Sequence, residues 1–170
     1  TVKARAFAEG LASRYIAALT VTQIAWREGQ AAGGAQPGLA CDYFEGSWKR
    51  LPDFAAQVPA RWGTQATVAI PPFARAESYG LRLSGFLKIP ADGVYTLHLW
   101  SDDGSALEIG GVRVVDNDGL HGLKAVEGVI ALSRGFHPIR VLFFEKTGGD
   151  ALQVSMRGRG MNKEAVREGA

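Results

Sequence analysis

Cysteine, helical periodicity and long apolar runs are the things this 170-residue chain has least of. A single thiol, Cys41, excludes an internal disulfide framework. It falls in an alternating run, where it is expected as a small buried apolar group. One thiol leaves the compartment open. No apolar stretch is long enough to cross a bilayer as a helix, so no integral membrane segment is expected. The opening TVKARAFAEG lacks the apolar core of a signal peptide, so any export signal is expected to lie upstream of it. Charge is nearly balanced, with 19 Lys+Arg against 17 Asp+Glu, and the basic residues are scattered. The one basic group, Arg157, Arg159 and Lys163, has no interleaved aromatics and reads as a solvated terminus, which argues against nucleic acid as a partner. Catalytic signatures are missing too. His98, His121 and His137 lack zinc-site spacing, and there is no Gly-x-Ser-x-Gly elbow. Gly110-Gly111 joins two strands instead of opening a phosphate-binding helix.

What is present is period-2 alternation. Hydrophobic residues make up 46% of the chain, enough for a true core. Residues 1–7 and 15–24 alternate on either side of Glu9-Gly10 and predict a β-hairpin. Two strands cannot bury a core by themselves, so the hairpin is expected to lean on the larger domain or on a second copy. Residues 27–38, REGQAAGGAQPG, read as a linker. Beyond them, alternating runs at 39–44, 81–89, 94–100, 106–109, 112–115, 129–132, 139–145 and 151–156 are separated by Gly-rich turns. This spacing predicts an all-β, antiparallel sandwich. A short helical turn is expected between Tyr43 and Phe54, before Pro52, and residues 161–170 form a terminal tail.

The most informative turn is Ser101-Asp102-Asp103-Gly104, between a run ending at Trp100 and one starting near Ala106. Two adjacent carboxylates at a sharp bend repel each other, and a bound cation is the simplest relief. The other reading is a solvated bend in which aspartate accepts backbone N–H groups and Gly104 takes a positive φ. Adjacent acids do not suit glycoside hydrolysis, whose two carboxyls stand about 5–10 Å apart across the bond. Glu108 and Glu145 lie in strands, and Glu145 reads as a strand end. A second polar cluster, Asp116-Asn117-Asp118-Gly119-Leu120-His121-Gly122, offers oxygens at short spacing but lacks the later glutamate of an EF-hand. It is either an Asx-rich turn or one wall of a ligand site, with Asn117 or neutral His121 donating to a hydroxyl. Trp26, Trp48, Trp62 and Trp100 are each either core residues or stacking platforms.

Residues 39–159 resemble the protective-antigen fourteen-kilodalton domain of bacterial toxins, glycosidases and yeast adhesins. The pieces that carry the resemblance are CDYFEGSW, GFLKIPADGVYTLHLWSDDGSALEIGG, VRVVDNDGLHG and IALSRGFHPIRVLFFEKTGGDALQVSMRG. It implies a β-sandwich with barrel-like curvature spanning 39–160 and a glycan-binding role. In the calcium-dependent adhesins of that family, two consecutive aspartates joined by a cis peptide hold the ion. Asp102 and Asp103 match those positions. The adhesins add an asparagine from a later loop, where this chain has Lys146-Thr147-Gly148-Gly149-Asp150 and only Asp150 as a substitute. Residues 1–26 are similar to the last strands of the C-terminal domain of chitobiases and β-hexosaminidases. Together the resemblances imply a non-catalytic, secreted or surface-exposed carbohydrate-binding module. Its ligand would be a glycan and its cofactor Ca2+, with Asp102, Asp103, Asn117, His121 and Trp100 at the site and a glycoside hydrolase linked to it in the parent protein. A structural or protein-docking sandwich without sugar binding is the alternative.

Overall fold

Alternation along the central strands delivers one set of side chains to a shared interior. In strand β9 (Gly93–Asp102), Tyr95, Leu97 and Leu99 point inward, while Val94, Thr96 and Trp100 face out. In β13 (Gly135–Glu145), Ile139, Val141 and Phe143 do the same from the other side. The computed structural model describes residues 24–31, 33 and 37–158. It also describes the backbones of five short strands: β1 (Val2–Ala4), β2 (Phe7–Ala8), β3 (Leu11–Ala12), β4 (Ala17–Leu19) and β15 (Glu164–Ala165).

Two sheets make the sandwich. A six-stranded sheet runs β11 (Val112–Asn117), β10 (Ser105–Ile109), β13, β8 (Tyr79–Ile89), β6 (Leu39–Glu45) and β7 (Arg61–Gln65). A five-stranded sheet runs β15, β14 (Ala151–Arg157), β9, β12 (Lys124–Leu132) and β5 (Trp26–Arg27). Every pairing within them is antiparallel except β5 on β12. Between the sheets, Leu81, Leu97, Leu99, Leu107, Ile109, Leu132 and Phe143 are fully buried. Each such side chain contributes roughly 1.5–3 kcal/mol. Cys41 is buried as expected. Gln65 Nε2 lies 3.1 Å from its sulfur, and burial pushes the thiol pKa up.

Several local expectations need correction. The linker expected at 27–38 begins as an exposed edge strand of the five-stranded sheet. Trp26 and Arg27 pair with Ala131 and Leu132, and Gln30 exchanges two backbone bonds with Phe136 at 2.9 and 3.0 Å. Glycine makes this possible, because a Cβ on Gly29 would stand 2.5 Å from the Arg134 carbonyl oxygen. The composition that suggests flexibility here serves close backbone approach. The helical turn lies after Pro52, not before it. It is a 3-10 turn, Phe54–Ala56, with the Asp53 carboxylate accepting the Ala55 N–H at 3.0 Å. Strand β7 (RWGTQ) escapes sequence reading because nearly all of it is exposed and no apolar alternation marks it. In the expected terminal tail, Glu164–Ala165 pairs with β14. At the other end, β1 pairs with β4, and β2 with β3, while Glu9-Gly10 lies outside the described residues. Arg159 and Lys163 lie outside the described residues.

Strands β11 and β12 approach so closely that a Cβ on Gly128 would stand 2.1 Å from the Val114 carbonyl oxygen. Gly128→Ala is expected to lower stability by about 1–3 kcal/mol through overpacking. The check is a lower urea midpoint at unchanged slope; an unaltered midpoint would contradict this contact.

Candidate functional site

The chain changes sheets at the acidic turn. Strand β9 ends at Asp102 in the five-stranded sheet, and β10 starts at Ser105 in the six-stranded one. Ser101 and Ser105, both fully buried, join their hydroxyls across the crossing at 2.6 Å. Gly104 carries no positive φ, against expectation. Space is the constraint on it instead: a Cβ there would lie 2.5 Å from the Phe144 ring and 2.7 Å from the Gly119 carbonyl oxygen. The peptide bond between Asp102 and Asp103 is cis.

Asp103 points inward, only 6% exposed. Its Oδ1 accepts the His121 N–H at 3.0 Å and its Oδ2 the Lys146 N–H at 3.1 Å. Its own amide donates to Glu145 Oε2 at 3.1 Å. Glu145 is fully buried, and its other oxygen, Oε1, has no hydrogen-bond partner. Oxygens of Asp102, Asp103 and Glu145 all lie within 4.8 Å of one another. Burial, then the negative charge of Asp103, pushes the Glu145 carboxyl up to about 7. Asp102 is raised as well, by desolvation first and Asp103 second. Three hard oxygen donors crowded together, one of them buried and unpaired, form a set suited to a cation such as calcium.

Two expected site residues are held as internal supports. Asn117, fully buried, donates through Nδ2 to Ser101 Oγ at 2.9 Å and to the Lys124 carbonyl at 3.3 Å. Both ring nitrogens of His121 stand 2.9 Å from carbonyl oxygens, those of Gly122 and Asn117, and the neutral ring donates to one of them. The 116–122 segment is an Asx-type turn, with Asp116 Oδ1 accepting the Asp118 N–H at 3.1 Å and Gly119 at φ 118°. Asp150 stands outside the three-carboxylate group. Its Oδ2 accepts the Tyr79 hydroxyl at 2.6 Å, and its charge acts on Asp102 and Glu145 from outside. Trp100 is half-buried on the outer face of β9, two residues before Asp102, with its ring stacked on His98 at 5.8 Å. Trp48 packs edge-on against Phe54 at 5.8 Å.

Glu145 is the residue that sequence reading passed over. Parity carries the signal: Ile139, Val141 and Phe143 point inward, so Glu145 does too. An acid on the inward register of an apolar strand needs a reason.

These features define a β-sandwich whose loops converge on a buried acidic turn. The family model of the PA14 domain matches residues 36–168, and the chain belongs to that family. No curated protein matches the sequence. Solved structures show the same fold. The chain is similar to an anti-sigma factor domain-containing protein from Clostridium clariflavum, with TM-score 0.65 and 19% identity over 82% of this chain and 49% of that one. It thus spans about half the length of that protein. A PA14 sugar-binding domain from an RTX adhesin matches with TM-score 0.65 and 16% identity, over 79% of this chain and 100% of that one. The subtype-switched Epithelial Adhesin 9 A domain of Candida glabrata, solved with beta-lactose, matches with TM-score 0.64 and 12% identity, over 86% and 92%.

The raised Glu145 carboxyl sets a pH dependence. With chelator present, the folded protein keeps a proton on Glu145 up to about 7, whereas an ordinary glutamate loses it near 4.5. The folded state therefore binds more protons between those values, and this contribution to stability falls as pH rises through the window. Glu145→Gln removes it. The variant is expected to be more stable than wild type at pH 8, by about 2 kcal/mol, with a smaller gap at pH 5. Urea unfolding at the two pH values checks this; an equal gap at both would contradict it.

Proposed function

We propose that this chain is a non-catalytic glycan-binding module whose binding end is organised by calcium held by Asp102, Asp103 and Glu145. The observation that carries the reading is the buried, unpaired Glu145 Oε1 inside a group of carboxylates within 4.8 Å. A calcium ion there would supply coordination positions that vicinal sugar hydroxyls can take in place of water. The protein's own part is to fix the donors. Asp103 is held by two backbone amides, so its carboxylate has little orientation left to lose on binding. Asn117 and His121 support the neighbouring loop, and Leu120 and Leu123 expose apolar surface on it. The half-exposed Trp100 offers an aromatic edge on the same strand as Asp102. The sugar-binding adhesin domains among the similar structures favour the same reading.

In this reading affinity for one sugar is low, on the order of millimolar, since few polar contacts compete with hydration. Such a module works by tethering. Attached to an exported glycoside hydrolase, as the resemblance of residues 1–26 suggests, it raises the local concentration of substrate.

Calorimetric titration of calcium into metal-stripped protein tests the site. Wild type is expected to bind with a dissociation constant of about 10⁻⁴–10⁻³ M, the range of extracellular calcium modules. Glu145→Gln and Asp103→Asn are each expected to weaken binding at least tenfold. A glycan array run with calcium and with chelator should then show calcium-dependent retention. A folded wild type that gives no saturable heat would overturn the calcium reading and leave calcium-independent sugar contact or a structural or docking role.

A further inference from the structure

The loop from β11 to β12 ends in Gly119-Leu120-His121-Gly122-Leu123, and its backbone pins it beside the acidic turn. The His121 amide donates to Asp103 Oδ1 at 3.0 Å. Burial is the main influence on the Asp102 carboxyl and raises it, while a hydrogen bond from the Leu123 amide acts the other way. Strand register explains this placement. Lys124, which follows Leu123, pairs with Ser101, which precedes Asp102. On the other side of β9, Ala151 pairs with Asp102 itself, so the loop before β14 forms a facing wall.

What the 119–123 loop offers a ligand is apolar. Leu120 is 47% exposed and Leu123 67%, and no other leucine among the described residues is exposed. Leucine contributes to folding by burial, so two left in solvent on one loop beside a polar site point to an interaction there. The polar side chains nearby are already engaged. The His121 ring nitrogens stand 2.9 Å from carbonyl oxygens, and Asn117 is buried on Ser101 and Lys124. Asp118 accepts the Leu51 amide at 2.7 Å and pairs with Arg50 at 3.7 Å. The facing wall is bare where it comes nearest, since a Cβ on Gly149 would stand 4.0 Å from Asp102 Oδ2. Asp102 thus lies between a glycine wall and a leucine wall.

The next step rests on the reading of this end as a calcium-organised glycan site. Two vicinal hydroxyls on the ion would fix a sugar ring, and the rest of the ring must then lie along these walls. A hydroxymethyl group set against leucine gives up its water without a replacement hydrogen bond, which is costly. A methyl group in the same place loses nothing polar and gains apolar contact. An acetamido group also carries a methyl, but its N–H and C=O would need partners that the engaged side chains of this loop do not supply. We infer that Leu120 and Leu123 are specificity-determining residues of this end and select a 6-deoxyhexose, whose vicinal hydroxyls meet the ion and whose methyl group lies against them.

Calorimetry at saturating calcium tests this with three pairs of sugars that differ only at the C6 hydroxyl: L-fucose and L-galactose, L-rhamnose and L-mannose, D-fucose and D-galactose. In at least one pair the deoxy sugar is expected to bind wild type about fourfold more tightly or better, the effect of one methyl group withdrawn from water. Leu120→Ser and Leu123→Ser keep the backbone amides that hold the aspartates. Each should lower that preference, and the double variant should abolish it, at wild-type calcium affinity and urea midpoint. Equal binding within every pair, with calcium bound, overturns the inference and leaves the glycan reading standing. A preference that survives in the double variant overturns it as well. Wild type that binds no calcium removes the calcium site and this inference together; calcium binding without response to any of the six sugars overturns the inference alone. A preference for N-acetylglucosamine over glucose, with none for a deoxy sugar, would assign the leucines to an acetamido methyl instead. Calcium-dependent retention on phosphatidylserine vesicles that the double variant loses, with no sugar preference, would assign them to a lipid surface.

Discussion

The Asp103 carboxylate, buried where the chain crosses between sheets, ties three segments together. Its oxygens accept amides from the loop after β11 and the loop after β13, and its own amide binds the last residue of β13. Burying a carboxylate is costly unless hydrogen bonds replace its water. Charge-assisted bonds of this kind contribute roughly 1.5–3 kcal/mol each. The arrangement therefore holds only if all three segments are in place together. Ser101, Ser105 and Asn117 continue the same polar network behind it.

The network is incomplete at Glu145 Oε1 and at Asn117 Oδ1, and the first gap lies among carboxylates. Asp103 satisfies one oxygen of Glu145 and leaves the other bare, with a second anion close by. Two responses are chemically open to such a group: it takes up a proton, as its raised carboxyl pKa indicates, or it shares a cation with its neighbours. Asp150 has no such tension, because the Tyr79 hydroxyl answers its Oδ2. Burial and that carboxylate push the Tyr79 hydroxyl pKa well up, so it remains a donor.

The two sheets differ in what their outer faces carry. The five-stranded sheet places a stacked His98–Trp100 pair on its outer face, with His98 Nδ1 2.7 Å from Glu127. The six-stranded sheet presents ion pairs in rows and one bare indole. Both patterns follow from strand parity, since residues that do not enter the core must share the opposite face. Neighbouring strands then decide which of them meet.

Much was legible in the chain itself. Alternation through Val94–Trp100 and Ile139–Glu145 dictates strands, because period 2 alone buries one face of each. Gly110-Gly111, with φ of 56° and 79°, dictates the hairpin between β10 and β11. The adjacency of Asp102 and Asp103 marks the turn by simple repulsion. What lay beyond reach were the relations across strands. Glu145 joins the aspartates only because β9 and β13, in different sheets, end side by side. Asn117 became a support because the Ser101 hydroxyl and the Lys124 carbonyl met it, and His121 because its ring turned to carbonyls of its own loop. Trp26–Arg27 became a strand through the nearness of β12, and Trp62 stayed exposed because β7 is an edge. Local pattern determined which residues form strands and turns, since steric and hydrophobic preferences act over a few positions. Tertiary packing decided which carboxylates share a site and which tryptophan stays bare, since both depend on partners brought together from 20 to more than 100 residues away in the chain.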